Sequence, residues 1–321
     1  MHVISRCGLI LSLMLAHTAT AACPVNTRNA AALKQLQSVM AQGRFVAYQP
    51  TSLQVVNGQL TQADVASMER DLRVLRPWFD GLITYGSANG ADRVAEVAAR
   101  LKYRALIMGV WDVRDGHEIN AALAAARLYP QLVVGISLGN ERLYAKEIDA
   151  QSLTQAMLKL HKSAPQLAIT TTEPFHIFLE PAAAPVIAAS DFMLVNVHPV
   201  FEKWFRTAPD TNAAAFVTRI VERLHTVACG PVLVKETGVP TAPASLGYTP
   251  ARQASFYHQL QLVFPGKAKQ AFAYFSAFDA PWRVNDVSPV PGVHPEEAHW
   301  GLFDDQRQPK PVVRGIAPLV R

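Results

Sequence analysis

The stretch Leu132-Val133-Val134-Gly135-Ile136-Ser137-Leu138-Gly139-Asn140-Glu141 is apolar for most of its length and ends on an amide and a carboxylate. Pro231-Val232-Leu233-Val234-Lys235-Glu236-Thr237-Gly238 repeats the pattern. Near-continuous hydrophobicity marks strands of a parallel sheet buried on both faces. Similar runs lie at 45–48, 81–85, 105–111, 167–171, 192–197 and 271–278. Helix-like segments separate them. Val65, Met68, Leu72 and Leu75 fall on one helical face, as do Phe216, Ile220 and Leu224 with Val217 and Val221 alongside. Asp210-Thr211-Asn212 stands at the start of the second helix, and each residue type there can cap it. Eight strands alternating with helices predict an α/β fold, a single (β/α)₈ TIM barrel. A doubly wound open sheet is the alternative. No Gly-x-Gly-x-x-Gly follows the first strand, which removes the dinucleotide-binding reading.

The chain has 321 residues, half of them hydrophobic and 17% charged, which excludes a disordered protein. Barrel enzymes reach this length as one domain. Residues 1–21 read as a signal peptide. Arg6 supplies the positive start, residues 8–16 an apolar run, and Ala19-Thr20-Ala21 a small-x-small cleavage site. The run is too short to span a bilayer, and no later segment has 18 uninterrupted apolar residues. The expected mature domain is therefore 22–321, a monomer exported to the periplasm or beyond. It keeps Cys23 and Cys229. These can form a disulfide or remain free thiols. A lipid anchor on Cys23 ranks below the disulfide, because Thr20-Ala21-Ala22 lacks the leucine-like residue of a lipoprotein signal. The net charge of +5 comes from scattered basic residues, so no nucleic-acid partner is expected. His117-Glu118 has Ala121 where a zinc helix needs its second histidine, so no metal is expected. No cofactor is implied.

Several predicted strands end in polar residues: Asn140-Glu141, Asn196-Val197-His198-Pro199, Lys235-Glu236-Thr237-Gly238 and Phe278-Asp279-Ala280-Pro281-Trp282. A barrel gathers these ends at one mouth, where active sites sit. Strands four and seven, carrying Glu141 and Glu236, face each other across it. Glycoside hydrolysis needs such a pair, one carboxyl protonated and one ionised. A lone glutamate at a strand end is more often in a salt bridge or solvated. Here each ends a strongly apolar strand inside its own motif.

At these residues the chain resembles glycoside hydrolase family 17, the β-1,3-glucanase and β-1,3-glucanosyltransferase family, in its bacterial branch. Ser137-Leu138-Gly139-Asn140-Glu141 is similar to the family's Gly-Asn-Glu motif, and Val234-Lys235-Glu236-Thr237-Gly238-Val239-Pro240-Thr241 to its Glu-Thr-Gly-Trp-Pro-Ser motif. Asn196-Val197-His198-Pro199-Val200-Phe201, the segment 275–283 and His299-Trp300-Gly301-Leu302-Phe303 resemble three further motifs in the same order. The likeness runs from Val46 to Phe303. It implies a retaining enzyme that cleaves or transfers β-1,3-glucan through a glycosyl-enzyme. Glu141 would be its acid/base and Glu236 its nucleophile, with carboxyls roughly 5–5.5 Å apart. Asn140 would hydrogen-bond the sugar 2-hydroxyl, with Gly139 bending the strand so that both neighbours face the cleft. The chain departs from the pattern at Val239, His198, Val200, Ser276 and Arg283, where the family has tryptophan, tyrosine, an aromatic residue, glutamate and lysine. The arginine of strand two is Ile83, although Tyr85 of that motif remains. These departures bear on the sugar subsites and the linkage.

Tyr85, Trp111, Phe201, Trp282 and Trp300 are candidate sugar platforms, and Phe278 reads as core. Tyr85, Asn196, His198, Phe201, Trp282 and Trp300 join Asn140 as candidate substrate-binding residues. His198 would hydrogen-bond a sugar, contact a carboxylate near the nucleophile, or fill the space of a tyrosine as a structural residue. Glu173 ends strand five as a polar group or half of a salt bridge, and Asp279 holds the strand-eight loop. Two other readings stand beside the β-1,3-glucan enzyme: a non-catalytic glycan-binding barrel, and a barrel glycosidase of another linkage.

Overall fold

Each of the eight apolar runs contains a strand: β1 Phe45–Ala47, β2 Gly81–Ile83, β3 Ala105–Val110, β4 Val133–Asn140, β5 Ala168–Pro174, β6 Met193–Asn196, β7 Val232–Glu236 and β8 Gln270–Tyr274. The structure, a computed structural model, describes residues 27–264, 266–285 and 292–319. The expected leader, Cys23 and part of the loop 287–295 lie outside the described residues. The strands close into one parallel barrel. Phe45 pairs with Gly81 on one side and with Ala273 on the other, so β1 joins β2 to β8. Parallel neighbours need crossovers, and helices supply most of them. A small antiparallel hairpin, Val55–Val56 with Gln59–Leu60, sits in the loop after β1.

The core has two parts, as alternation along a barrel strand requires. Phe45, Ile83, Ile107, Val134, Phe192, Leu194 and Leu233 belong to one cluster together with Leu36, Val39 and Met40 of the first helix, Ala30–Gln42. The other cluster joins strand residues such as Leu82, Leu106, Ile136 and Val195 to the surrounding helices. The helix Val65–Leu75 buries Met68, Leu72 and Leu75, and the Asp64 carboxylate caps it by accepting from the Ser67 amide.

The helix Asp210–Leu224 differs from expectation at its start. Pro209 holds the N-cap position, and no side chain caps the helix. Asp210 lies in the first turn, with its carboxylate accepting from Arg252 Nε at 3.0 Å. Its negative charge still complements the helix N-terminus. Cys229 is disulfide-bonded, while the Cys23 end of the expected pairing falls outside the described residues. Among the described residues, no helix is long and apolar enough to cross a membrane.

Candidate active site

Strands β4 and β7 bring the two glutamates to the same mouth through irregular backbone. On a regular strand Asn140 and Glu141 would point to opposite faces. Here Gly139 takes φ +87° and Glu141 φ +57°, both left-handed. The β4–β5 register slips between Ser137 and Asn140. A left-handed non-glycine residue is strained, and such strain concentrates at functional sites. The Glu141 amide donates to Thr172 O at 2.8 Å, which anchors the bend to β5. The β6–β7 register slips as well, between Val195 and Asn196.

The carboxylates have different partners. Glu141 Oε1 accepts from Asn196 Nδ2 at 2.8 Å. Asn196 is buried, so it holds Glu141 and does not present its amide to an open cleft. His198 Nε2 lies 3.2 Å from Glu236 Oε2, and Lys235 Nζ lies 3.8 Å from Glu236 Oε1. Burial pushes the Glu141 carboxyl up, and the negative charge of Glu236 pushes it the same way, against the Asn196 bond and the cations. Burial pushes Glu236 up too, but the His198 bond and the charges of Lys235, His198 and Arg283 outweigh it. Glu236 is thus held below the ordinary carboxylate range and Glu141 above it. Two like groups driven apart in this way are suited to one acid role and one base role.

The carboxylate that His198 meets is that of Glu236 itself. The His198 ring also packs against Phe201, Phe275 and Trp300, at centroid distances of 5.4, 5.6 and 5.4 Å. Trp300 is only 2% exposed. It is a floor beneath His198, which corrects the expectation of an open sugar platform. Phe201 is 64% exposed, with its ring also edge-on to Trp300 at 6.3 Å. Tyr85 is half-buried, edge-on to Phe275. Its hydroxyl is buried without a hydrogen bond, as are His198 Nδ1, Asn196 Oδ1, Glu236 Oε1 and Trp300 Nε1. Trp282 is half-buried on the turn Pro281–Asn285.

Supporting residues complete the mouth. Glu173 makes backbone contacts and no ion pair among the described residues. Its two oxygens accept from the Leu143 and Tyr144 amides at 2.8 and 3.1 Å. Burial raises its carboxyl to about 7. Asp279 holds the strand-eight loop as expected, accepting from the Gly301 amide and from Lys310 Nζ. Phe278 is buried, as its reading as core requires. Trp111 is 48% exposed with the Arg142 guanidinium 4.9 Å from its ring centre. Glu118, read in the sequence only as part of a failed zinc motif, accepts from the Ser87, Trp111 and Asp112 amides and pins two loops together. Lys235 was legible only as a charge inside an apolar strand. It is 1% exposed and donates to Asn140 Oδ1 at 2.6 Å.

The model of the BtgE/BtgC glycoside hydrolase domain matches residues 46–301. This chain belongs to that glycoside hydrolase family. A glucan 1,3-beta-glucosidase of Arthroderma benhamiae is 26% identical over 261 residues, spanning 77% of this chain and 84% of the relative. A glycoside hydrolase family 17 β-1,3-glucanosyltransferase from Rhizomucor miehei superposes with a TM-score of 0.67 at 23% identity, covering 84% of this chain and 96% of that one. The pollen β-1,3-glucanase CJP38 of Cryptomeria japonica gives a TM-score of 0.60 at 14% identity, covering 84% and 97%. At those identities the structural likeness carries the fold. The BtgE/BtgC match spans the mouth from β1 to Trp300, including both glutamates.

Proposed function

We propose that this protein is a retaining glycosidase or transglycosylase of β-1,3-linked glucan, with Glu236 as nucleophile and Glu141 as acid/base. The observation that carries the assignment is the contrast in partners. Glu236 lies beside a histidine and an ammonium, which favour its anion. Glu141 has a neutral amide, Asn196. In the first step Glu236 attacks the anomeric carbon while Glu141 gives its proton to the departing glycosidic oxygen. In the second, Glu141 takes a proton from water or a sugar hydroxyl, whose oxygen displaces Glu236. The names of the Arthroderma and Rhizomucor relatives support the β-1,3 linkage. The leader read in residues 1–21 adds export to the proposal.

Incubation with β-1,3-gluco-oligosaccharides and a labelled acceptor tests the reading. Shorter products, elongated products or both are expected from the wild type, and none from Glu236→Ala. Unchanged oligosaccharides with the wild type, alongside saturable binding, would replace the enzyme with a glycan-binding barrel.

A further inference from the structure

Lys235 is a charge where a barrel strand ordinarily carries none. It precedes Glu236 on β7 and is 1% exposed. Burying an ammonium is costly unless it is paired and hydrogen-bonded, and an apolar residue of similar volume is often at least as stable. Its surroundings are arranged around its charge. Nζ donates to Asn140 Oδ1 at 2.6 Å, lies 4.1 Å from the centre of the Tyr85 ring and sits 3.8 Å from Glu236 Oε1. Glu141 also acts on it from β4. The strand-two position where the resembled family carries arginine is Ile83, fully buried. Here a cation reaches the nucleophile from β7.

The contact with Asn140 settles an orientation. An ammonium can only donate, so the amide oxygen must face it. The Asn140 N–H₂ group is then the other end of the amide, free to donate to a sugar. With no partner at Oδ1, the amide could turn over and present an acceptor instead. The same charge favours the ionised form of Glu236.

We propose that Lys235 is a positioning residue for glycosyl transfer: its buried ammonium locks the donor face of Asn140 toward the substrate and supplies the inner cation beside Glu236. This rests on the function proposed above. Burial lowers the ammonium to about 8 against the pull of the two carboxylates, so it is charged at neutral pH and loses its charge above that value.

The test is Lys235→Met, with kcat/KM measured against pH on an aryl β-1,3-gluco-oligosaccharide and on its analogue lacking the 2-hydroxyl at the cleaved bond. Three changes are expected. The rate falls roughly ten- to hundredfold, as for loss of a charged hydrogen bond. The rate penalty for removing the 2-hydroxyl shrinks to that of Asn140→Ala, and the double variant shows the same 2-hydroxyl penalty as Asn140→Ala alone. The whole pH profile moves upward, because both carboxylates lose a nearby positive charge. His198, Arg283, Tyr85 and Glu173 also face this pair, and of the four only Tyr85 touches Lys235, through its ring. A slower enzyme with the profile in place and the full 2-hydroxyl penalty would reduce Lys235 to a packing residue and overturn the proposal. If Lys235→Met does not fold, Lys235→Gln keeps a donor for Asn140 without the charge. Its profile should move upward, and an unmoved profile overturns the proposal. Absence of turnover by the wild type would instead sink the functional reading, and this inference with it.

Discussion

Glu141 and Glu236 share a side chain and a mouth, and differ in what surrounds them. The Asn196 amide cannot neutralise a carboxylate, whereas His198 and Lys235 can stabilise one as its anion. Catalysis as proposed needs Glu236 ionised and Glu141 protonated. Activity should therefore rise with pH as Glu236 ionises, below the ordinary carboxylate range, and fall as Glu141 ionises, above it. The two limbs belong to the coupled pair. The pH profile of kcat/KM measures both. Glu141→Gln, assayed on a donor with an activated leaving group, should lose the alkaline limb. A Gln variant that keeps it contradicts the acid assignment. The glutamates were legible in the sequence because each ends an apolar run in a recognisable motif. Lys235 was hidden by the rule that successive strand residues face opposite ways. The Asn196 bond to Glu141 was not legible, because a sequence does not say whether an amide meets a neighbouring carboxylate.

Strand β4 shows what an element adds to its residues. Regular pleating would send Asn140 and Glu141 apart, and the left-handed pair Gly139 and Glu141 brings both to the mouth. A Cβ on Gly139 would lie 3.1 Å from both Arg142 Cγ and Val113 Cγ1, and the positive φ would strain any L side chain there. Gly139→Ala should cost about 1–2 kcal/mol of stability. It should also lower kcat by moving two working side chains at once. Thermal melts beside initial rates check this, and a Gly139→Ala enzyme with wild-type kcat would show that the bend is incidental. The bend was partly legible, since a glycine ahead of two polar residues suggests one. The left-handed Glu141 was not legible, because its backbone is forced by packing against β5. The start of the Asp210–Leu224 helix was misread for a similar reason: Arg252, distant in sequence, claims the aspartate that local pattern assigns to capping.

At the scale of the molecule, closure of the barrel makes the site. Pairing β1 with both β2 and β8 turns eight separate strand ends into one rim and sets β4 across from β7. The C-terminal segment then braces the structure. Arg307 Nε reaches the buried Asp71 carboxylate at 2.7 Å, and Asp71 also accepts from the Tyr48 hydroxyl beyond β1. Lys310 ties Asp279 to Thr241 and the carbonyl of His299. The count and order of strands were readable from hydrophobic runs. The tie of Arg307 to Asp71 was not, because nothing local announces a partner more than two hundred residues away. The proposed mechanism requires Glu236 to become covalently attached to sugar. Trapping with a 2-fluoro-β-glucosyl fluoride donor, followed by peptide mass mapping, tests this most directly. The expected result is one glycosyl adduct on the peptide carrying Glu236, absent from Glu236→Ala and released when acceptor is added. A protein that turns over β-1,3-glucan yet carries no adduct, or carries it on Glu141, would contradict the mechanism.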